Sequence, residues 1–176
     1  MTNSSTEGHT QSTERTNEVW DLIFAVAKPQ KILEIGYYEG HATRLMLDRG
    51  AAVHSIDIGK HEQTRECMEK MVVEDLKFTY EIADSKTCNP VNYEDCDLAF
   101  IDGDHTTFGV LNDIMLAMRA GIPWIVIDDY HGKWFANIIQ TVDFLQKQGL
   151  LIRLEYLDYD ALDGRNTMAL MKNALI

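Results

Sequence analysis

The fold of this chain is decided by the stretch Lys31-Ile32-Leu33-Glu34-Ile35-Gly36-Tyr37-Tyr38-Glu39-Gly40. An apolar strand runs into a turn that contains two glycines, and a helix follows. Where a parallel strand ends beside a bound ligand, the backbone needs glycine because a Cβ would block the close approach. Gly36 and Gly40 meet that need, so the turn is predicted to lie against a nucleotide-like cofactor. An ordinary tight turn between a strand and a helix would also contain such glycines, so other strand ends have to agree.

The spacing of the glycines distinguishes two classes of cofactor. The chain has Glu-x-Gly-x-x-x-Gly, whereas the dinucleotide fingerprint has Gly-x-Gly-x-x-Gly and uses its third glycine for close helix packing. Tyr38 stands where the second glycine of that fingerprint would be. This departure disfavours NAD and favours S-adenosylmethionine, which has no pyrophosphate to place on the helix N-terminus.

Two further strand ends carry polar side chains suited to the same cofactor. Asp57 ends the apolar run 52–57, about 20 residues after the first glycine, where a carboxylate accepts hydrogen bonds from ribose hydroxyls. The run 78–82 is followed by Asp84 and Ser85, which could meet an adenine amino group; taken alone, Asp84 is better explained as a loop cap. The predicted cofactor site comprises Glu34, Gly36, Tyr37, Gly40, Asp57, Ile58, Asp84, Ser85 and Asp102.

Length and composition describe one globular domain. With 176 residues, 45% of them hydrophobic, the chain can bury roughly two-thirds of its unfolded surface. No apolar run reaches the roughly 18 residues of a membrane span, and residues 1–15 lack the apolar core of a secretory signal. We therefore expect a disordered leader over residues 1–15, a single domain over residues 16–176, and a cytoplasmic location away from membranes.

Charge and cysteine content exclude several classes of function. The formal net charge of -12 argues against binding nucleic acid, which requires clustered Lys and Arg, and favours a small-molecule substrate. Cys67, Cys88 and Cys96 include no Cys-x-x-Cys pair, so the sequence indicates neither a zinc ribbon nor a disulfide framework.

Apolar runs alternate with amphipathic segments, which is typical of a parallel sheet with helices on both faces. Helices are predicted near residues 17–27, 41–48, 62–71, 108–120 and 133–148, with Gly50, Gly121 and Gly149 as stops. The strands 97–101 and 124–127 are almost continuously apolar and should lie in the sheet centre. A terminal antiparallel hairpin is predicted from runs 151–157 and 166–172, joined by a turn at 160–164. The expected fold is α/β and Rossmann-like, with a mostly parallel sheet of seven strands.

Acidic turns follow the fourth and fifth strands. Asp102, Asp104 and His105 lie in the first turn, and Asp128 and Asp129 lie in the second. Because the ligand crevice of an open α/β sheet lies at the carboxyl ends of its strands, these side chains should converge. No run of basic residues is near in sequence, so the acids either share protons or hold a cation, Mg²⁺ first among hard divalent ions. Asp104 and Asp129 could instead cap the helices that follow them.

This motif resembles that of known enzymes. It comprises Phe-Ile-Asp-Gly-Asp-His at 100–105, Asp113 eight residues further on, and Val-Ile-Asp-Asp-Tyr at 126–130. Together with the Glu-x-Gly-x-x-x-Gly turn, it is similar to the class I methyltransferases over about residues 30–172. Among them it most resembles the metal-dependent family-24, macrolide and aminocoumarin sugar O-methyltransferases. Catechol O-methyltransferase is a more distant resemblance.

The two resemblances imply different roles for the same residues. By the catechol pattern, the metal ligands are Asp102, Asp128 and Asp129, and His105 is the general base near the place of a catalytic lysine. By the sugar pattern, the metal ligands are Asp104, Asp128 and Asp129, and Asp102 is the base. The chain has a histidine where the catechol enzymes have lysine and lacks their long N-terminal helical cover, so both assignments stay open.

Methyl transfer requires an acceptor oxygen that is aligned with the methyl group and loses its proton. A divalent cation would orient and acidify a hydroxyl, and an acceptor with two neighbouring oxygens would chelate best. A catechol, a vicinal diol of a sugar and a hydroxy acid all qualify. Aromatic and histidine side chains that could line the acceptor pocket are Tyr37, Tyr38, Tyr130, His131 and Trp134, with Tyr130 and Trp134 preferred.

Two alternative functions fit parts of the sequence. A NAD-linked oxidoreductase would share the architecture, but it would need the third glycine and has no use for an acidic cluster. A non-catalytic interaction protein that binds S-adenosylmethionine or a metal is the stronger alternative, since fold does not fix function. With one helix before the first strand, we expect a neighbouring subunit of a homo-oligomer, or the leader, to cover the substrate.

Overall fold

The computed structural model describes residues 13–131, 136–161 and 164–176. Five helices and seven strands alternate along these residues in the order that the sequence predicts. The helices are α1 Glu14–Ala27, α2 His41–Asp48, α3 Glu62–Glu74, α4 Thr107–Arg119 and α5 Ala136–Lys147. The strands are β1 Lys31–Ile35, β2 Ala52–Asp57, β3 Phe78–Ile82, β4 Leu98–Ile101, β5 Trp124–Ile127, β6 Leu151–Ala161 and β7 Gly164–Asn173.

All seven strands form one sheet in the order β3-β2-β1-β4-β5-β7-β6. Strands β1 to β5 are parallel, and β7 pairs antiparallel with both β5 and β6. The predicted fold is confirmed, with β4 at the centre of the sheet and β5 beside it. The strand order reverses between β1 and β4, and this switch point is where open α/β sheets bind ligands.

Apolar side chains fill both faces of the sheet. Successive residues of β4 show the alternation, because Leu98 and Phe100 belong to one cluster while Ala99 and Ile101 belong to the other. Helices α1, α2 and α3 cover the face of Leu98, and helices α4 and α5 cover the opposite face. Both faces of the central strands are therefore buried, which accounts for their continuous apolar sequence. Among the described helices, none combines the length and apolarity that crossing a bilayer would demand.

Some element boundaries differ from the sequence prediction. Helix α1 begins at Glu14 rather than near Asn17, because the Thr13 hydroxyl accepts a hydrogen bond from the Thr16 N–H at 3.1 Å and caps the helix. Helix α5 is described from Ala136, and the predicted start at residue 133 lies outside the described residues. The leader over residues 1–15 lies mostly outside them too and stays a prediction.

The terminal hairpin is longer than the sequence prediction. Its pairing runs from Leu151↔Asn173 to Ala161↔Gly164, so that both strands continue through residues assigned to a turn. The acids of β6 resemble turn residues locally, but Tyr159 lies between two of them and is buried. Cross-strand pairing therefore extends the hairpin past the point where the apolar pattern stops.

Candidate active site

Gly36 and Gly40 sit at the switch point with positive φ angles of 94° and 78°. A Cβ on Gly36 would overlap the carbonyl oxygen of Asp102, and a Cβ on Gly40 would overlap the Tyr37 hydroxyl. The first glycine therefore lets the loop after β1 pass against the loop after β4. Contacts within the protein itself therefore already require both glycines that the sequence analysis attributed to a cofactor: backbone of the loop after β4 at Gly36 and the Tyr37 side chain at Gly40.

Glu34 is fully buried on β1 beneath this turn. Its Oε2 accepts hydrogen bonds from the Thr43 hydroxyl at 2.6 Å and from the Ser55 hydroxyl, whereas its Oε1 finds no partner among the described residues. Burial raises the pKa of Glu34 to about 8, against the opposing hydrogen bonds. Glu34 joins β1 to β2 and α2 inside the fold, beneath the predicted cofactor crevice.

The Tyr37 side chain points into the core on the α1 to α3 face. Its ring packs against Phe78 with centroids 5.5 Å apart, and burial raises the pKa of its hydroxyl. Tyr38 is on the surface, where its ring makes an edge contact with His61 at 6.4 Å. The Tyr37 ring therefore lies in the core and only the Tyr37 backbone can face the crevice, whereas the Tyr38 side chain is exposed.

The Asp57 carboxylate lies at the end of β2, as predicted for a ribose ligand. Its Oδ2 accepts from the backbone N–H groups of Tyr37 and Tyr38 at 3.0 and 3.3 Å, and its Oδ1 accepts from the Gly59 N–H at 2.7 Å. The carboxylate thus fixes the turn after β1 to the turn after β2. Ile58, the next predicted cofactor residue, is 59% exposed beside it.

Asp84 and Ser85 follow β3 but turn towards protein partners. The Asp84 carboxylate accepts from the Lys86 N–H at 3.0 Å and caps a short 3₁₀ turn, which agrees with the simpler explanation given for this acid. The Ser85 hydroxyl donates to Asp113 on α4 at 2.6 Å, and burial raises the pKa of Asp113 to about 6. Asp113, part of the recognised motif, therefore anchors the loop after β3.

Three side chains from the two acidic turns converge at the carboxyl ends of β4 and β5. His105 Nε2 lies 3.1 Å from Asp129 Oδ2 and 3.5 Å from Asp102 Oδ1. One ligand atom from each residue lies within 4.8 Å of the other two, a geometry that could hold a metal ion. Of the five side chains expected to converge from the two turns, this group contains Asp102, His105 and Asp129, so it offers a histidine nitrogen as well as carboxylate oxygens, and Asp104 and Asp128 are not part of it.

The charge balance of this cluster comes from His105. Burial by itself lowers the pKa of His105, but hydrogen bonds to Asp102 and Asp129 and their negative charges outweigh it and raise the pKa to about 10. In the metal-free protein at neutral pH, an imidazolium therefore pairs with the two carboxylates.

Asp104, a metal ligand in the sugar pattern, faces away from this group. Its Oδ2 lies 3.3 Å from Lys86 Nζ, and its Oδ1 accepts from the Thr106 N–H at 3.0 Å. That backbone hydrogen bond is the main reason why the pKa of Asp104 is lowered. The sequence showed no basic run near the acids, but folding brings Lys86 from the loop after β3.

Asp128 and Asp129 extend from β5 towards the terminal hairpin. Asp128 is buried, and its Oδ1 accepts from the Tyr159 hydroxyl at 2.7 Å and from the Asp129 N–H at 2.8 Å. Burial and the charges of Asp102 and Asp129 raise the pKa of Asp128 well above its ordinary value. Asp128 is not in the group of three described above, although both resemblances predicted it as a ligand.

Sequence reasoning missed two residues beside these acids, Tyr159 and Asn166. The Asn166 side-chain amide donates to Asp129 Oδ1 and, at 2.7 Å, to the Tyr159 hydroxyl. Both residues were assigned to the hairpin or its turn without a role. Their local signal is weak, because a polar side chain in a strand gives no sign of which distant acid it will contact.

Tyr130, one of the two preferred aromatic residues, packs against other described residues. It is buried on the α4 and α5 face, where its ring stacks on Tyr156 with centroids 4.7 Å apart and its hydroxyl donates to Asp143 at 3.3 Å. The other preferred aromatic residue, Trp134, lies outside the described residues.

Comparison with known proteins decides the family. Residues 33–130, more than half of the chain, match the methyltransferase domain family 24. The chain belongs to this methyltransferase family. The match covers the turn after β1 and both acidic turns, so the resemblance drawn from those motifs is confirmed. No curated protein matches the sequence.

Solved methyltransferases share the fold at low sequence identity. The O-methyltransferase of Bacillus cereus, in complex with S-adenosylhomocysteine, has a TM-score of 0.68 at 15% identity and covers 93% of this chain and 83% of its own. The N-methyltransferase NodS of Bradyrhizobium japonicum, also with S-adenosylhomocysteine, has a TM-score of 0.69 at 13% identity and covers 92% and 89%. The O-methyltransferase TomG of Streptomyces achromogenes, with S-adenosylmethionine, has a TM-score of 0.67 at 11% identity and covers 94% and 82%.

Proposed function

We propose that this methyltransferase transfers the methyl group of S-adenosylmethionine to a hydroxyl oxygen of a small molecule, assisted by a divalent cation. The observation that carries the proposal is the convergence of Asp102, His105 and Asp129 at the switch point of the sheet. Ligand crevices of open α/β sheets lie at this place.

The turns after β1, β2 and β3 support S-adenosylmethionine as the methyl donor. They lie on one side of the switch point, where the Asp57 carboxylate ties the first two turns together. The solved relatives from Bacillus cereus and Bradyrhizobium japonicum hold S-adenosylhomocysteine, the demethylated product of that donor. S-adenosylmethionine supplies an activated methyl group, so the protein has to position the acceptor and remove its proton.

The donor set fits a divalent cation, but it changes the expected metal. Two carboxylate oxygens and one imidazole nitrogen can face one ion, whereas the sequence analysis assumed oxygen ligands alone. Imidazole suits first-row transition metals such as Fe²⁺, Ni²⁺ and Zn²⁺ better than Mg²⁺, and Mn²⁺ is the member of that series that also suits carboxylate oxygen. A cation held there would polarise an acceptor hydroxyl and orient it.

The residues of the chain divide the remaining work. Asp129 is nearly buried and fixed from behind, so it holds position, whereas the Asp102 side chain keeps 30% of its surface exposed and can meet an acceptor. Asp102 and His105 are the two candidates to receive the acceptor proton, since both side chains are partly exposed. They are alternatives, because a residue that takes the proton cannot at the same time bind the cation through the same atom, and His105 could act as the base only after losing its own proton. Acceptors with two neighbouring oxygens, such as a catechol, a vicinal diol of a sugar or a hydroxy acid, suit this site best.

Calorimetry with S-adenosylmethionine, with and without Mn²⁺ or Mg²⁺, tests the donor and the metal separately. We expect the donor to bind, Mn²⁺ to bind more tightly than Mg²⁺, and a saturating cation to raise the melting temperature; at 100 times Kd the gain is about 2.7 kcal/mol. Transfer of a labelled methyl group to a panel of catechols, sugar diols and hydroxy acids should stop when a chelator is added.

The variant Asp104→Asn separates the two ligand sets. If the sugar pattern is right, Asp104→Asn should weaken metal binding. If the ligands are Asp102, His105 and Asp129, the variant should keep its metal affinity. If the unaltered protein does not bind S-adenosylmethionine, the proposed function is wrong. If it binds S-adenosylmethionine and still transfers the methyl group in the presence of a chelator, the proposed role of the metal is wrong.

A further inference from the structure

The terminal hairpin reaches the acids at the end of β5 through a buried pair of polar residues. Tyr159 on β6 and Asn166 on β7 are cross-strand partners, and both are almost completely buried. Asn166 Nδ2 contacts Asp129 Oδ1, and the Tyr159 hydroxyl lies 2.7 Å from Asp128 Oδ1. Each acid of the pair thus has its own partner on the hairpin.

The direction of these hydrogen bonds follows from the backbone. Asn166 Oδ1 accepts from the Thr167 N–H at 2.8 Å, so the amide nitrogen is the atom turned towards the acids. That nitrogen donates to Asp129 and to the Tyr159 oxygen, which leaves the Tyr159 hydroxyl proton for Asp128. The hairpin therefore presents one donor to each carboxylate, as an acceptor-only group requires.

Asp129 needs such support because of its backbone. Its φ is +55°, a left-handed conformation that Asp adopts more readily than most residues but that still costs free energy without glycine. Two backbone hydrogen bonds contribute, from the Asp129 N–H to Asp128 Oδ1 at 2.8 Å and from the His131 N–H to the Asp129 carbonyl at 2.7 Å. The side chain is held separately, with Oδ1 on Asn166 and Oδ2 facing His105 at 3.1 Å.

We propose that Asn166 is a positioning residue that fixes the Asp129 carboxylate, so that Oδ2 faces the site, and that Tyr159 does the same for Asp128. In its functional consequence the inference rests on the proposed function, since the group that Asp129 would present is a metal ligand. Partners behind a ligating carboxylate set its orientation, and losing one typically lowers metal affinity about 10–100-fold.

The test compares three variants in the full chain by titration with Mn²⁺, followed by the electron paramagnetic resonance signal of the free ion. Asn166→Leu removes the donor at nearly constant volume, and Tyr159→Phe removes one hydroxyl while the ring stays. Thr167→Val is the matched control, because its hydroxyl donates at 2.8 Å to Asp158 on the exposed side of the same hairpin. Thermal melts identify any variant that does not fold.

We expect Asn166→Leu to weaken Mn²⁺ binding about 10–100-fold, Tyr159→Phe to weaken it less, and Thr167→Val to leave it unchanged. Affinity for S-adenosylmethionine should stay unchanged in all three, which separates positioning from general damage. If Asn166→Leu does not fold, Tyr159→Phe decides by the same comparison, because the Tyr159 oxygen accepts from the Asn166 amide that holds Asp129. Folded variants that bind Mn²⁺ as tightly as Thr167→Val would overturn the inference.

The experiment distinguishes two negative outcomes: that the protein binds no metal, and that Asn166 does not position Asp129. If the unaltered protein binds no Mn²⁺, the ring nitrogen resonances of His105 report the geometry of the metal-free cluster. Asn166→Leu should shift them, because Asp129 would no longer be held against His105, and Thr167→Val should not. Unshifted resonances in Asn166→Leu would overturn the positioning role itself.

Discussion

The two sides of the crevice hold their carboxylates in different ways. On the side of β2 and β3, Asp57 and Asp84 accept hydrogen bonds from backbone N–H groups of their own or neighbouring loops. On the side of β4 and β5, Asp102 and Asp129 contact other side chains, above all His105. The carboxylates of Asp57 and Asp84 therefore stabilise loops, whereas those of Asp102 and Asp129, together with His105, form a cluster of possible metal ligands. Substitutions on the first side should therefore lower stability first, and those on the second side should lower activity first.

The largest effect is expected from Asp102→Asn and His105→Ala. Each should lower methyl transfer about 10²–10⁴-fold, because each removes a group at the reacting centre. His105→Ala should also lower the unfolding free energy, because it removes the imidazolium that faces both Asp102 and Asp129. Turnover measured beside metal affinity assigns the roles: the general base is the residue whose loss leaves the metal bound. Full turnover in both variants on a true acceptor would exclude both as the base.

Glu34→Gln tests the buried acid beneath the first turn through the pH dependence of stability. The pKa of Glu34 in the folded protein is about 8, above its ordinary value of 4.5, so the folded state binds the proton more tightly. The unfolding free energy of the unaltered protein should fall as pH rises from 4.5 to about 8, by at most about 1.4 kcal/mol per pH unit. Glu34→Gln should lack the part of this fall that Glu34 causes. If urea melts give parallel curves of unfolding free energy against pH for the variant and the unaltered protein, the prediction is wrong.

Gly36→Ala should affect both sides at once, because a Cβ there would overlap the backbone of Asp102. We expect a loss of about 1–3 kcal/mol in unfolding free energy, with weaker binding of both donor and metal. Gly50→Ala is the matched control, since Gly50 has a similar φ of +90° and no atom within 4 Å of an added Cβ. If the two variants lose the same stability, backbone strain alone accounts for Gly36.

Asp57→Ala and Asp84→Ala should have the smallest effects and differ in kind. Asp57→Ala leaves three backbone N–H groups without their acceptor, which should lower stability, and it removes the proposed ribose ligand, which should weaken donor binding by about 1–3 kcal/mol. Asp84→Ala removes the cap of a 3₁₀ turn and should lower stability by about 0.5–2 kcal/mol, with donor affinity retained. Calorimetry beside thermal melts checks both; equal losses of donor affinity would restore Asp84 as a cofactor ligand.

Much of the acidic cluster was predictable because the residue at which each strand ends is encoded locally. Apolar runs, glycine stops and acids placed directly after strands showed that Asp102 and Asp129 would come from adjacent strand ends. The sequence could not tell that Asp104 would turn to Lys86, because that lysine lies 18 residues earlier along the chain. Asp128 was assigned to the metal with Asp129, yet its Oδ1 accepts a hydrogen bond from the Tyr159 hydroxyl, which lies 31 residues further along the chain.

The sequence by itself determined the alternation of strands and helices, the family to which the chain belongs, and the end of the sheet at which acids gather. Each depends on periodicity or on a short motif, and both are properties of neighbouring residues. The tertiary structure decided which acids face one another, that His105 balances their charge, and that Tyr159 and Asn166 support them from the hairpin. These depend on contacts between distant segments, whose geometry is fixed only when both faces of the sheet are packed.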